Sequence, residues 1–385
     1  MDRDNRGSTN IREDQKRSSR VSNRFRIVAV LFILIAILGS SYAELVGDSG
    51  TFTHEGICDA SGVVDLGGNE FGVADDELNL LLAYEVGESG AARESFEISK
   101  FLDVVKPPKK KKEKKKKSKE KKKEKKIKVK EVDIEGAARV GDYVVWIASH
   151  GRKSSGKEAK ERMRLFATSI EHNQDGVLEL VPKGTPYEDL LDDFLSDKRY
   201  ESFRLKDASE KAPKDTGGLN IEALTDRPDG TLLIGFRSPL IDGKAIVAPL
   251  VNHKEVLEEK KAKFGAPILL DLGGRGVRGL ASHNGEYLIV ANDPEGDGHH
   301  PALFLWDGKS LTPKLLSSIR FGDFNPEAVA ILPDDEGGRV LMLSDDGSKE
   351  IGKDKCKDLK DLSKRRFRST LIRHSELRFL PGEAS

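Results

Sequence analysis

The stretch DIEGAARVGDYVVWIASHG at residues 133–151 returns in outline at residues 220–238 as NIEALTDRPDGTLLIGFRS, and at residues 325–347 as NPEAVAILPDDEGGRVLMLSDDG. Each copy carries a Glu, small apolar residues, a polar turn and a strand that ends in polar or charged side chains. A short unit of this kind cannot cover its own apolar face, so neighbouring copies must cover it, and the repeat therefore decides the architecture. Two further segments share the outline, SGVVDLGGNEFGVADDE at 61–77 and VRGLASHNGEYLIVANDP at 277–294. In all five, an apolar strand meets a second strand across a turn of Gly, Asn or Asp, the signal of a β-hairpin.

More strands follow the hairpins, as in PALFLWDG then LTPKLLSSI (301–319), or AIVAPL then APILLDL (245–272), so the unit is about four strands long. The small residue after the opening position, Gly136, Ala223, Gly279 and Ala328, recurs at intervals of 87, 56 and 49 residues. Gly62 lies 74 before Gly136, or about 49 once a 25-residue lysine-rich segment is set aside. Units of about 40–50 residues with four strands are blade-sized. The expected fold is all-β, a propeller of five four-stranded blades, with a sixth left open by the 87-residue interval. LELVPKGTPYEDLLDDFLSDKRYESFRL (178–205) reads as a helical excursion within that interval, because LLDDFL has helical spacing. A β-sandwich explains the short strands equally well, but not their recurrence behind the same leading Glu. Closing the ring requires its two edges to meet. TFTHEGI (51–57) and KRRFRSTLIR (364–373) are placed to pair in one composite blade, which brings Cys58 and Cys356 into one neighbourhood. These are the only cysteines, compatible with one disulfide in an oxidising compartment or with two separate thiols.

Residues 1–26 are polar and Arg-rich, Ile27 to Leu38 are twelve apolar residues, and a small-x-small cleavage site follows at Ala43 with Ser41 before it. Twelve helical residues span only about 18 Å, short of the roughly 30 Å hydrocarbon core. The expectation is a cleaved signal peptide in 1–43 and an exported, periplasmic or extracellular protein. The alternative is an uncleaved membrane anchor extended through Val46. The propeller is then 51–373, followed by a tail at 374–385.

Charge is unevenly spread. Lys106 to Lys130 holds 17 lysines and 3 glutamates, so the balanced total of 65 basic and 65 acidic residues hides a remainder of formal charge −14. Such a segment cannot bury enough apolar area to order itself, and reads as a disordered insertion between two blades. It would attract polyanions such as anionic lipid or a cell-envelope polymer, or act as a solvated spacer. It lacks Arg and aromatics, which argues against sequence-specific nucleic-acid binding.

Each unit opens on a polar residue at an equivalent place, Glu135, Glu222, Arg278 and Glu327. The second strands end in Asp75 and Asp76, Ser149 and His150, Arg237, Asn292 and Asp293, or Asp345 and Asp346. In an antiparallel hairpin the start of one strand lies beside the end of the other, so all these groups should gather at one end of the ring. Asp76, Glu135 and Asp345 could then serve a metal, with calcium the natural cofactor for such oxygens. Arg237 and Arg278 suit a small anionic or phosphorylated ligand, with Glu222 or Glu327 as general base and His150 as proton carrier in a catalytic version. A third outcome is a ring of salt bridges and turn caps. No GxSxG elbow, HExxH pair or Walker loop supports catalysis independently.

The wording of the chain carries a resemblance as well. GICDASGVV, EFGVADDELN, DIEGAARVGDYVVWIASHGR, GLNIEALTDRPDGTLLIGFRSPL, PILLDLGGRGVRGLA, YLIVANDP and FNPEAVAI with LSDDG occur in order between Gly56 and Arg373. Together they resemble the bacterial family designated DUF3616, grouped with β-propellers and distantly similar to phytase-like esterase propellers. The resemblance implies a phosphoester or related ester ligand and no established activity. Its pattern points to Asp59, Asp76, Glu135, His150, Arg152, Glu222, Arg237, Glu327 and Asp345. The lysine insertion departs from that pattern. Three readings follow: a binding propeller for an anion or a divalent cation, a phosphoester or carboxylester hydrolase, and a scaffold tethered to an anionic surface.

Overall fold

The computed structural model describes residues 50–106, 128–295, 300–317 and 319–378. Its core is five sheets, each made chiefly of four antiparallel strands. Blade I comprises Ala60–Gly67, Glu70–Asp75, Leu80–Glu85 and Glu94–Glu97. Blade II comprises Ile134–Val140, Tyr143–Ala148, Leu165–His172 and Leu178–Tyr187. Blade III comprises Asn220–Asp226, Leu232–Ser238, Ala245–Leu250 and Ile268–Leu270. Blade IV comprises Gly276–His283, Glu286–Asn292, Ala302–Trp306 and Lys314–Leu315.

Blade V is composite. Pro326–Leu332, Arg339–Ser344 and Arg366–Arg373 come from one end of the chain, and Thr51–Glu55 adds the fourth strand, with Thr51 opposite Thr370 and Glu55 opposite Arg366. Gly90–Ala91 then pairs in parallel with that closing strand, stitching blade V to blade I. The first strand of each blade touches the first strands of both neighbouring blades, so the ring closes at five. A sixth blade does not form, because the long interval before Asn220 is used differently. Leu178–Tyr187 is the outer strand of blade II and not part of a helix, and the helical part of the excursion begins after it, at Leu190–Ser196, Lys198–Phe203 and Leu205–Ser209. Phe194 of that excursion stacks on Phe264 at 3.7 Å between centroids, covering the seam between blades II and III.

Five apolar cores fill the five seams between blades. Trp146, Val144 and Phe166 meet Val64 and Leu81 between blades II and I, while Phe71, Tyr84 and Phe367 join Leu341 and Leu343 between I and V. Each sheet is therefore packed on both faces, which explains why YVVWIA and LLIGF read as continuous apolar runs with every residue buried.

The lysine-rich insertion leaves and re-enters through a short neck, Val105–Lys106 paired with Lys128–Val129, between blades I and II. Residues 107–127 lie outside the described residues, as do 1–49, with the expected export segment, and 379–385 of the tail. Residues His374–Arg378 continue blade V as a short helix. Among the described residues no helix is long and apolar enough to cross a membrane.

Candidate functional site

The five inner strands share one irregularity at one place. In blade II the pairing jumps from Ile147 opposite Gly136 to Ala148 opposite Ile134, leaving Glu135 without a cross-strand partner. The same jump leaves out Glu222 in blade III, Arg278 in blade IV and Glu327 in blade V. In blade I it spans Ser61 and Gly62. A β-bulge turns an extra side chain away from the sheet's regular alternation, so five bulges aim five side chains at the axis. Small residues must follow them, because neighbouring inner strands nearly touch there. A Cβ on Gly136 would stand 2.7 Å from the Leu224 amide nitrogen, and one on Gly279 would stand 2.7 Å from the Glu327 carbonyl oxygen. The axial space that remains, lined by Ser61, Glu135, Glu222 and Arg278, measures about 10 Å³, room for about one water.

Around this ring stand the ends of the second strands, as antiparallel pairing requires. Ala60 faces Asp75, Asn220 faces Ser238 beside Arg237, Gly276 faces Asn292, and Pro326 faces Ser344 beside Asp345. Charge compensation splits the mouth into two halves. On the side of blades III to V, Arg237 pairs with Glu222 at 2.8 Å, and Asn220 donates to the same Glu222 oxygen at 2.6 Å. Arg278 lies 2.8 Å from Glu327, 3.3 Å from Asp345 and 3.8 Å from Glu222. Three carboxylates at once hold the Arg278 guanidinium in its charged form, overcoming the cost of its burial.

The side of blades I and II has less counter-charge. Asp133 meets Arg162 at 2.7 Å. Asp59 and Asp76 form no ion pair among the described residues, and one buried oxygen of each, Oδ2 of Asp59 and Oδ1 of Asp76, accepts no hydrogen bond. Burial, followed by the charges of Asp345, Glu77 and Asp75, pushes the Asp59 carboxyl up to about 8. Burial and the charges of Asp59, Asp75, Glu135 and Asp133 hold Asp76 well above the carboxylate range. Glu135 is likewise raised by burial, then by Asp133, Glu222 and Glu327. Glu327 is pushed up to about 8 by burial, against the opposing pull of Arg278. Asp75 serves mainly as a turn cap, accepting from the Glu77 amide at 2.9 Å.

The fold thus brings Asp76, Glu135, Glu222, Arg237, Arg278, Glu327 and Asp345 to one mouth, together with Asp59. It sets two residues apart. His150 has a left-handed backbone (φ 54°) and is buried, and its Nδ1–H donates to the Ala148 carbonyl at 2.8 Å. Burial holds it neutral down to about 4, and the charge that bears on it is that of Arg164. Arg152 holds loop carbonyls, donating to Ser209 at 2.8 Å and Gly156 at 3.2 Å. Asp133 and Arg162 escaped the sequence reading. The signal for Asp133 was present two residues before each bulge, where Asp59, Asp133, Asn220 and Asn325 occupy equivalent places and Gly276 the fifth. Among the described residues no three His, Cys, Asp or Glu side chains stand as a ready-made metal cage.

Residues 166–310 match the family model described as Protein of unknown function, DUF3616. The DUF3616 match runs from the third strand of blade II to just beyond the third strand of blade IV, and includes Glu222, Arg237 and Arg278. No curated protein matches the chain. Solved structures with a loosely similar course include Myxococcus xanthus glutaminyl cyclase, 13% identical over 84% of this chain and 94% of that one, with a TM-score of 0.39. An exo-β-1,3-galactanase from Phanerochaete chrysosporium is 10% identical over 86% of this chain and 62% of that one, with a TM-score of 0.38. Kuenenia stuttgartiensis hydrazine synthase is 8% identical over 75% and 56%, with a TM-score of 0.32. Likenesses this distant say nothing about a ligand of this chain.

Proposed function

We propose that the propeller binds a hydrated divalent cation at its mouth, seated between Asp59 and Asp76 with Glu135 behind them. The observation that supports this most is the uneven compensation. Arg237 and Arg278 are already engaged by carboxylates, so an anion would have to displace them, whereas Asp59 and Asp76 repel each other with oxygens to spare. One or two carboxylates with several retained waters is the way a magnesium ion is held, and added oxygens from Glu135 or Asp345 would suit calcium. The Cys58–Cys356 disulfide suits an oxidising compartment and so supports export. Titration calorimetry of chelator-treated protein with MgCl₂, CaCl₂ and MnCl₂ tests the reading. Saturable heat that disappears in the Asp59→Asn/Asp76→Asn double variant supports it. No heat and no thermal shift with any of the three ions would leave the mouth a structural ring.

One observation favours a hydrolytic version. Glu327, raised to about 8 and touching Arg278, would remain a proton donor at neutral pH, and Arg278 beside it could stabilise developing negative charge. Hydrolysis of 4-nitrophenyl phosphate or acetate that falls by orders of magnitude in Glu327→Gln would establish it.

A further inference from the structure

The acidic seat has to be held together against its own repulsion, and the covalent link beside it is placed to do so. Asp59 follows Cys58 directly, in the four-residue crossing from the closing strand Thr51–Glu55 to the inner strand of blade I. Cys58 is bonded to Cys356, 298 residues away, and both are fully buried. Cys356 in turn closes the loop that begins at Asp345: its amide donates to the Lys349 carbonyl at 2.7 Å, and the Lys357 amide donates to the Gly347 carbonyl at 3.2 Å. The Asp346 amide reaches back to the Cys58 carbonyl at 3.2 Å. The disulfide therefore clamps the segment carrying Asp59 to the segment carrying Asp345. Between them Asp59 leans on Gly347 so closely that a Cβ there would stand 1.7 Å from Asp59 Oδ1. At the seat itself, Asp59 Oδ2 and Asp76 Oδ1 are both shut off from solvent and accept no hydrogen bond.

We infer that the Cys58–Cys356 disulfide is a positioning device for cation binding: it fixes the Asp59 carboxylate beside Asp76 by tying it to the loop that follows Asp345. This rests on the mouth being a cation site. Without the bond, the crossing at 56–59 is held only by its flanking strands and backbone contacts, and the repulsion between Asp59 and Asp345 is free to move Asp59 off the seat. The Gly347 contact sets the other limit, since any side chain there drives the carboxylate away.

The test compares divalent affinity, with MgCl₂, CaCl₂ and MnCl₂ as probes, in four forms of the full chain. These are the oxidised protein, the same protein reduced with a phosphine, Cys58→Ser/Cys356→Ser, and Gly347→Ala with the disulfide intact. Circular dichroism follows the fold in each. The expected result is an affinity at least 10-fold weaker in the reduced and serine forms, and a comparable loss in Gly347→Ala. If the reduced and serine forms lose their fold without added cation, the disulfide is a staple of the ring and the positioning role is overturned. Unchanged affinity in a folded, reduced protein or in Gly347→Ala overturns the positioning role while leaving the cation site standing. Absence of binding to the oxidised protein overturns both.

Discussion

Asp59→Asn should make the protein more stable, and by an amount that depends on pH in a defined way. The carboxyl is raised from 3.8 to about 8, so the folded protein binds a proton there that the unfolded chain has already released at neutral pH. Stability associated with such a group is present below about pH 4 and is lost as pH climbs towards 8. The linkage relation puts the cost at about 4 kcal/mol at pH 7 and about 2 kcal/mol at pH 5, an upper bound because Asp345 and Asp75 share the same repulsion. Asparagine keeps the shape of the side chain and removes the ionisable group, so the unfolded chain no longer gains by releasing a proton there. Urea unfolding with EDTA present, for both proteins from pH 5 to pH 8.5, should give a gap of about 2–4 kcal/mol at pH 7 that shrinks by half or more at pH 5. Parallel pH profiles, or an Asn variant less stable than the parent at pH 8, would refute the view that burial and neighbouring charge at the mouth leave Asp59 uncompensated.

Three other outcomes are expected. Gly136→Ala should destabilise the ring by about 1–3 kcal/mol in thermal or urea unfolding, because the new methyl meets the rigid Leu224 backbone at 2.7 Å. His54 is buried in the seam between blades V and I, with Phe71, Tyr84 and Phe367 around it, and burial lowers it to about 4. Its folded value lies below the unfolded one, so the stability it contributes above about pH 6.5 is lost as pH falls through 4. His54→Gln should flatten that acid limb by up to about 3 kcal/mol in pH-dependent unfolding. Deleting Lys109 to Lys126 should abolish sedimentation with phosphatidylserine vesicles at low salt and leave the melting temperature unchanged; equal sedimentation would remove the insertion from any surface role.

The ring was legible in the sequence because the same four-residue opening recurs, and because strands covered on both faces are apolar throughout. The gathering of Glu222, Glu327, Arg237 and Arg278 followed from hairpin geometry alone. The bulges did not, since an extra residue shows only in the pairing and not in composition. Leu178–Tyr187 misled because LVPKGTPY carries Pro and Gly next to a genuine helical pattern, and only the pairing of Leu165–His172 with it identifies a strand. His150 looked available for proton transfer because it ends a strand at the right height. Its left-handed backbone and its bond to the Ala148 carbonyl, neither visible in a sequence, set it apart.

The closing strand has a consequence for the order in which the molecule can be made. Thr51–Glu55 leaves the ribosome before every other strand of the ring, yet its partner, Arg366–Arg373, is translated about 300 residues later, a delay of roughly 15–60 s at ordinary synthesis rates. Throughout that interval the early strand has only the two-residue pairing with Gly90–Ala91 to join, and its other edge stays open. Blades I to IV can stack as they appear, but the circle cannot shut until the last blade arrives. The nascent protein is therefore an open arc for most of its synthesis. A factor that shields sheet edges, or a translocation route that postpones folding altogether, would act on this chain during that window and not afterwards.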